Sequence, residues 1–283
     1  MKKTFYSTLL LSSLFLVGCQ NGTEDTPEAE EDEQTEEVEE EIEEQENEDN
    51  DQEDADEENE EEAEEEKDFQ YTINRDTFSV VPIDDEESDE KLVLLTFDDA
   101  PDGHTIEIAD ALEERDVSAI FFVNGMYMED DEGFETMEEI HDRGFEIGNH
   151  TQTHAKLDDI SEDEQHEEIV KTNELVEEAT GETPRFFRAP HGVMTDYVED
   201  LTEELNMTWT NWSFGFDWDP EYQDADALRD ITLDNPYLSD GANILMHDRE
   251  WTAEAIPEII DGLIDQGYTI VDPSLIASGE DAE

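Results

Sequence analysis

Two acidic side chains and two histidines stand at spacings that suit a hydrolytic metal site. The segment 96–101 reads TFDDAP, follows an apolar run directly, and contains Asp98 and Asp99. Further along the chain, the segment HTQTH places His150 and His154 four residues apart. One carboxylate and two imidazoles form the ligand set of a catalytic zinc that keeps one position open. Because the second aspartate is left free to act as a base, these residues predict metal-assisted hydrolysis.

We predict Asp99, His150 and His154 as the metal ligands. Neutral imidazoles and a carboxylate suit Zn²⁺, and Co²⁺ or another divalent ion can occupy the same set. The four-residue spacing of the histidines puts both on one side of a helical turn or of a curled loop. Asp98 is the predicted general base, with a role as a second metal ligand as the alternative.

The elements that must position these side chains alternate between strands and helices. Strands are predicted at 92–97, 119–123, 145–147, 207–211, 243–246 and 268–271, and helices at 105–115, 134–142, 162–180, 196–205 and 253–266. Such alternation indicates a parallel α/β sheet. The polar clusters follow predicted strands, as at the active face of an α/β barrel. Periodicity alone leaves an open doubly wound sheet as the other possibility.

Three more clusters complete an ordered series of motifs. They read FRAPHG at 187–192, FDW at 216–218 and ILMHD at 244–248. Together with the first two, they resemble the five motifs of the polysaccharide deacetylase family, also called the NodB-homology family or carbohydrate esterase family 4. Those motifs read TFDDG, H-[ST]-x-x-H, R-x-P-[YF], D-W and L-x-H, and Ala100 departs from the glycine of the first. The resemblance implies an α/β fold of the distorted (β/α)7 barrel type and removal of acetyl groups from an aminosugar polysaccharide.

The resemblance also implies roles for four catalytic side chains. Asp98 would take a proton from the attacking water, and Arg188 would orient Asp98 through a charge-assisted hydrogen bond. His247 would protonate the leaving amine, and Asp217 would hold the other ring proton of His247. Asp219 lies two residues further on, so the choice between these two aspartates stays open at this point.

Four further positions are expected at the substrate. Pro190 and His191 follow Arg188, and the backbone N–H after the proline helps to stabilise the oxyanion in the family. His191 stands where the family often has tyrosine, a change that keeps the backbone donor. Trp218 would form a wall of the site, and Leu245 would line the pocket for the acetyl methyl group.

The N-terminal residues resemble the signal segment of a bacterial lipoprotein. A short basic start is followed by an apolar stretch and by LVGC, which ends at Cys19, the single cysteine of the chain. The stretch is too short for a comfortable transmembrane helix. We therefore expect a signal peptide at 1–18 and a lipid on Cys19 that anchors the protein to the extracellular face of the bacterial cytoplasmic membrane. A plain signal peptide with an incidental cysteine is the alternative.

Acidic residues dominate the rest of the chain. Of the formal net charge of −75, residues 20–68 contribute 30 acidic side chains against one lysine. We read 19–68, with the lipidated cysteine, as a disordered, extended linker, and 69–283 as the catalytic domain. Residues 69–283 still carry a formal charge of −48, which indicates a halophilic source, with an acidic protein from an ordinary organism as the alternative. The same charge disfavours binding to nucleic acid.

The anchor and linker favour the cell's own wall as the substrate. We expect a monomer that acts on the N-acetylglucosamine of peptidoglycan. The alternatives are chitin oligomers, an exopolysaccharide, O-acetyl groups of xylan, and, in a different class, a glycan-binding module without catalysis.

Overall fold

A long buried strand, β3 (Lys91–Ala100), forms the centre of the fold, and every residue in it after Lys91 is buried. It lies parallel to β4 (Ile120–Val123) on one side and to β8 (Ala242–His247) on the other. The computed structural model describes residues 68–84 and 90–282, which belong to one compact unit. The predicted signal peptide, Cys19 and all but the last residue of the predicted linker lie outside the described residues.

Seven parallel strands form the main sheet in the order β7-β6-β5-β4-β3-β8, with β9 paired to β3. The remaining strands are β5 (Glu146–Asn149), β6 (Phe186–Phe187), β7 (Thr208–Trp209) and β9 (Tyr268–Ile270). The helices are α1 (Thr105–Glu113), α2 (Asp131–Asp142), α3 (Glu162–Thr180), α4 (Asp196–Glu204), α5 (Ala225–Leu233) and α6 (Glu250–Asp265). This curled parallel sheet with its helices is a distorted (β/α) barrel, which confirms the expected fold class.

Alternate residues of β3 face two different apolar layers. Val93 and Leu95 pack in a large cluster that includes the helix residues Ile108 and Ile256. Leu92 and Leu94 belong instead to the smaller cluster on the opposite face of the sheet. Because side chains alternate along a strand and both faces are covered, the sequence of β3 is an almost continuous apolar run.

An N-terminal hairpin packs beside the two edge strands of the sheet. Its strands are β1 (Tyr71–Ile73) and β2 (Val80–Pro82). The Val80 amide donates to the carbonyl of Gly241 just before β8, at 2.9 Å. The Phe78 ring lies 5.3 Å from the ring of Trp209 in β7. The hairpin therefore contacts residues at both edge strands of the sheet.

The predicted elements are mostly present, with shifted ends and four omissions. Helix α3 spans the predicted residues, and its start carries a capping box between Ser161 and Glu164. Strand β3 runs on to Ala100, so the two motif aspartates belong to the strand itself. The omitted elements are β1, β2, β6 and α5, of which the strands have only two or three residues and α5 has nine. Within the described residues, no helix combines the length and the apolar character that a membrane crossing requires.

Candidate active site

The candidate site lies where the parallel strands end. Asp98 and Asp99 stand at the end of β3, His247 at the end of β8, and His150 and Arg188 directly after β5 and β6. The carboxyl ends of parallel strands meet at one edge of the sheet, so residues far apart in sequence converge there.

Three side chains form a compact cluster that could hold a metal ion. Ligand atoms of Asp99, His150 and His154 lie within 4.8 Å of one another. The Oδ1 atom of Asp99 lies 3.5 Å from Nε2 of His154 and 3.9 Å from Nε2 of His150. This oxygen is buried, and it accepts no hydrogen bond from the part of the chain that the structure describes. A buried oxygen without a donor is costly unless a ligand satisfies it, so the cluster fits a divalent cation.

The protonation of the histidines suits the same role. Nδ1 of His150 lies 2.7 Å from the carbonyl oxygen of Arg188, so Nδ1 carries the proton and Nε2 keeps its lone pair. Burial lowers the pKa of His150. Burial, together with the neighbouring His150, also lowers the pKa of His154. Both imidazoles are therefore neutral near pH 7, as metal coordination requires.

The HTQTH segment is a curled loop, which decides between the two predicted forms. Thr151 and His154 have φ of 69° and 58°, in the left-handed region that a helix does not use. The side chain of Asn149 accepts a hydrogen bond from the Thr151 amide at 2.8 Å and donates another to the Ile169 carbonyl at 2.8 Å. These bonds tie the loop to the sheet and to α3, so both imidazoles are held in place.

Asp98 stands beside the cluster and is held by a buried arginine. Nη1 of Arg188 donates to Oδ1 of Asp98 at 2.7 Å, and the Arg188 side chain is fully buried. The other carboxylate oxygen of Asp98 lies 3.5 Å from Nε2 of His150. Burial alone would raise the pKa of Asp98, but the charge and hydrogen bond of Arg188, together with His150 and His247, outweigh it, and the pKa lies below its usual value. Asp98 is therefore ionised and fixed in orientation.

A buried polar network fixes Arg188 in turn. Its Nη1 donates to the Thr96 hydroxyl at 2.8 Å, and its Nη2 to the Asn211 carbonyl at 2.9 Å and to Oδ1 of Asn243 at 3.3 Å. The guanidinium lies 4.2 Å from the ring centre of Phe122. Sequence reasoning missed Asn243, although an asparagine within the apolar strand β8 was the available signal.

His247 is paired with Asp217. Nδ1 of His247 donates to Oδ1 of Asp217 at 2.8 Å, and Oδ2 accepts from the Thr252 hydroxyl at 3.0 Å. Burial lowers the pKa of His247, but the charge and hydrogen bond of Asp217, together with the charges of Asp98 and Asp99, more than compensate and raise the pKa to about 8. Asp219 caps a short 3-10 helix and accepts from the Glu221 amide at 3.0 Å. The structure thus brings Asp217 to His247 and uses Asp219 elsewhere.

The four expected substrate residues have different surroundings. Pro190 is buried, and His191 is exposed with its ring edge-on to His154 at 4.8 Å. Leu245 is buried in β8. Trp218 is 59% exposed, and its indole N–H donates to the Gly215 carbonyl. Within the part of the chain that the structure describes, His191 is the one of these four that contacts the Asp99–His150–His154 cluster.

Asp248 and Arg249, which follow His247 directly, both bind the β3–α1 loop. Sequence reasoning missed Arg249. Asp248 is fully buried and accepts from the amides of Asp102 and His104 and from a threonine hydroxyl at the start of α1. Nη2 of Arg249 donates to Oδ2 of Asp99 at 2.6 Å. Arg249 lies outside the five motifs, so no local signal pointed to it.

Comparisons with a family model and with individual known proteins agree on one family. A family model described as polysaccharide deacetylase matches residues 85–210. A peptidoglycan-N-acetylglucosamine deacetylase of Bacillus cereus is 32% identical over 198 residues, which cover 67% of this chain and 70% of the relative. The peptidoglycan-N-acetylmuramic acid deacetylase PdaC of Bacillus subtilis is 34% identical over 185 residues, which cover 64% of this chain but only 38% of the relative.

The similar solved structures include a deacetylase and a pseudoenzyme. The Bc1960 peptidoglycan N-acetylglucosamine deacetylase superposes with a TM-score of 0.61 at 30% identity, covering 68% of this chain and 91% of that one. The BA3943 pseudoenzyme of carbohydrate esterase family 4 from Bacillus anthracis gives 0.59 at 30% identity, covering 64% and 63%. Likeness of fold therefore does not decide whether a chain is catalytic, and the side chains of the site must carry that argument.

Proposed function

This chain belongs to the polysaccharide deacetylase family, and from that premise we propose that it removes N-acetyl groups from a cell-wall aminosugar polymer with the help of a zinc ion. One arrangement carries the proposal. The Asp99–His150–His154 cluster contains two neutral imidazoles, the ionised carboxylate of Asp98 lies beside it, and a His247 imidazole of raised pKa stands in the same site.

Asp99, His150 and His154 would hold the ion. A divalent cation at such a site supplies Lewis acidity, which polarises a carbonyl and makes a water molecule easier to deprotonate. The two imidazoles and single carboxylate favour zinc, while cobalt has similar preferences.

Asp98 is the base in this proposal. It accepts a proton from the water whose oxygen forms the new bond to the acetyl carbon. Arg188 keeps the carboxylate ionised and prevents it from rotating, since it occupies Oδ1 and leaves Oδ2 for the proton.

His247 is the acid that completes the reaction. Its Nδ1 proton is engaged by Asp217, so the proton on Nε2 is the one available to the leaving nitrogen. As the C–N bond breaks, the amine takes this proton, and acetate and a free amino group result. A pKa near 8 keeps most of the imidazole protonated at neutral pH.

An amide is the preferred substrate for a site of this kind. An amine leaves poorly unless it is protonated, whereas an alkoxide leaves an ester more readily. The Asp217–His247 pair therefore supports N-deacetylation over the removal of O-acetyl groups.

Peptidoglycan is the polymer we propose, and N-acetylglucosamine the sugar. The relatives named above are described as acting on N-acetylglucosamine or on N-acetylmuramic acid of peptidoglycan. A lipid on Cys19 and an extended linker would keep the domain at the extracellular face of the membrane, within reach of the wall. These N-terminal features remain part of the proposal.

The test is acetate release by the whole chain from purified peptidoglycan and from N-acetylglucosamine oligomers. Assays with added zinc, with a chelator and with Asp98→Asn would be run in about 1–2 M NaCl, where screening is strong. We expect release that requires both the metal and Asp98, and mass spectrometry of the digested wall identifies the sugar that lost its acetyl group. Glycan binding without any release would refute the enzyme and support the binding module.

A further inference from the structure

The side chain of Arg249 donates hydrogen bonds to three oxygen atoms at the edge of the site. Its Nη2 donates to Oδ2 of Asp99 at 2.6 Å. Its Nη1 donates to Oδ2 of Asp102 at 2.6 Å and to the carbonyl oxygen of Asp248 at 2.7 Å. One guanidinium thus connects the loop after β8 with two carboxylates at the end of β3.

This contact determines which oxygen of Asp99 is available. Oδ2 is occupied by Arg249, while Oδ1 is buried, has no donor among the described residues and faces the two histidines. A free carboxylate can rotate and present either oxygen or both. The planar fork of an arginine suppresses that rotation because it fixes both direction and distance.

We propose that Arg249 is a positioning residue for the metal site, which presents Asp99 as a ligand through Oδ1 alone. It also offsets the repulsion between Asp99 and Asp102, whose carboxylates both contact it. This inference rests on the metal site of the proposed function, but it is tested by metal binding and not by turnover.

A purely structural role for the Arg249 side chain is the competing explanation. The loop that it contacts is already tied to β8 by Asp248, which accepts from the Asp102 and His104 amides and from the Thr105 hydroxyl. These bonds remain when Arg249 is replaced. We therefore expect Arg249→Gln to fold, while it loses the control over Asp99 and the contact with Asp102.

Arg229 on α5 offers a matched control. It also bridges carboxylates, those of Asp226, Asp230 and Glu258, and its side chain is 26% exposed against 29% for Arg249. Arg229→Gln removes the same charge from the same acidic chain at a comparable depth. It separates a general electrostatic effect from an effect on Asp99.

The experiment is a calorimetric titration of the chelator-stripped whole chain with Zn²⁺ and with Co²⁺. We expect Arg249→Gln to weaken binding about 10- to 100-fold, the usual effect of removing a partner of a ligand, with Arg229→Gln unchanged. Arg249→Lys should recover part of the affinity, because lysine supplies the charge but not the fork. The visible spectrum of bound Co²⁺ should change in Arg249→Gln but not in Arg229→Gln, since Asp99 would no longer be held to one oxygen.

Three outcomes are decisive. Wild-type affinity and an unaltered Co²⁺ spectrum in Arg249→Gln would overturn the inference while leaving the proposed function intact. Failure of the wild-type chain to bind either metal would refute both the inference and the proposed function. If melting of the stripped protein shows that Arg249→Gln is unfolded, Arg249→Lys and Asp102→Asn replace it, and wild-type affinity in both would refute the positioning role.

Discussion

Asp217 and His247 are 30 residues apart in sequence, yet Oδ1 of Asp217 lies 2.8 Å from Nδ1 of His247. Asp217 is fully buried, and its second oxygen also accepts from the backbone amide of His247. The pair therefore fixes the ring orientation and the tautomer of His247 together, and leaves Nε2 as the nitrogen that can deliver a proton.

Activity should decline as the pH rises through the pKa of His247. That pKa is raised to about 8, so the imidazolium is present below this pH and is lost above it. Asp217→Asn removes the carboxylate that raises the pKa of His247 most, and the alkaline limb should move to lower pH. The measurement is kcat against pH on an N-acetylglucosamine oligomer. An alkaline limb at the same pH in both proteins would contradict the pairing.

The His247 pair also contributes to stability in a defined pH range. A folded pKa above the unfolded value means that the contribution is complete below about pH 6.5, the ordinary histidine pKa, and is lost as the pH rises through about 8. Urea unfolding of the wild-type chain and of His247→Gln at several pH values measures it. The difference in unfolding free energy between the wild-type chain and His247→Gln should shrink as the pH rises over this range. A constant difference would contradict a contribution from the His247–Asp217 pair.

Replacement of the proposed base separates two roles for Asp98. If Asp98 acts as a base, Asp98→Asn should lower kcat by about 10²- to 10⁴-fold and leave metal affinity almost unchanged. If Asp98 is instead a second metal ligand, affinity should fall together with rate. Calorimetric titration with Zn²⁺ beside kcat distinguishes them, and Asp99→Asn serves as the control that must lose the metal.

Removal of Arg188 should destabilise the fold because it leaves a buried charge alone. Breaking a buried ion pair typically costs about 3–5 kcal/mol, so Arg188→Met should lower the unfolding free energy by that order. The double variant Arg188→Met with Asp98→Asn removes both charges and should be more stable than Arg188→Met. Urea denaturation gives the comparison. A double variant at least as unstable as the single one would show that Asp98 is not the source of the cost.

Salt should stabilise the protein. The formal net charge of −75 opposes a compact state, and the screening length falls from about 10 Å at 0.1 M to about 3 Å at 1 M salt. We expect the melting temperature to rise with NaCl between 0.1 and 2 M. Sodium chloride and potassium chloride should act alike if screening is the cause. A flat or falling curve would remove the proposal of a halophilic source.

The motifs were readable from sequence because the chemistry of a site depends on residue types. Asp98, Asp99, His150 and His154 could be singled out as a metal-dependent hydrolytic set without any coordinates. Apolar runs and their alternation with amphipathic stretches located most elements because those signals are local. Very short strands such as β6 carry too few residues for any periodicity, and they were missed.

Only the tertiary structure decided which partners these residues have. The choice of Asp217 over Asp219, the support of Arg188 by Asn243 and the contact of Arg249 with Asp99 all join segments that are distant along the chain, the last by 150 residues. Local patterns record the secondary structure and side-chain chemistry of a segment. They do not record which other segment lies against it, because that depends on how the strands converge at one edge of the sheet.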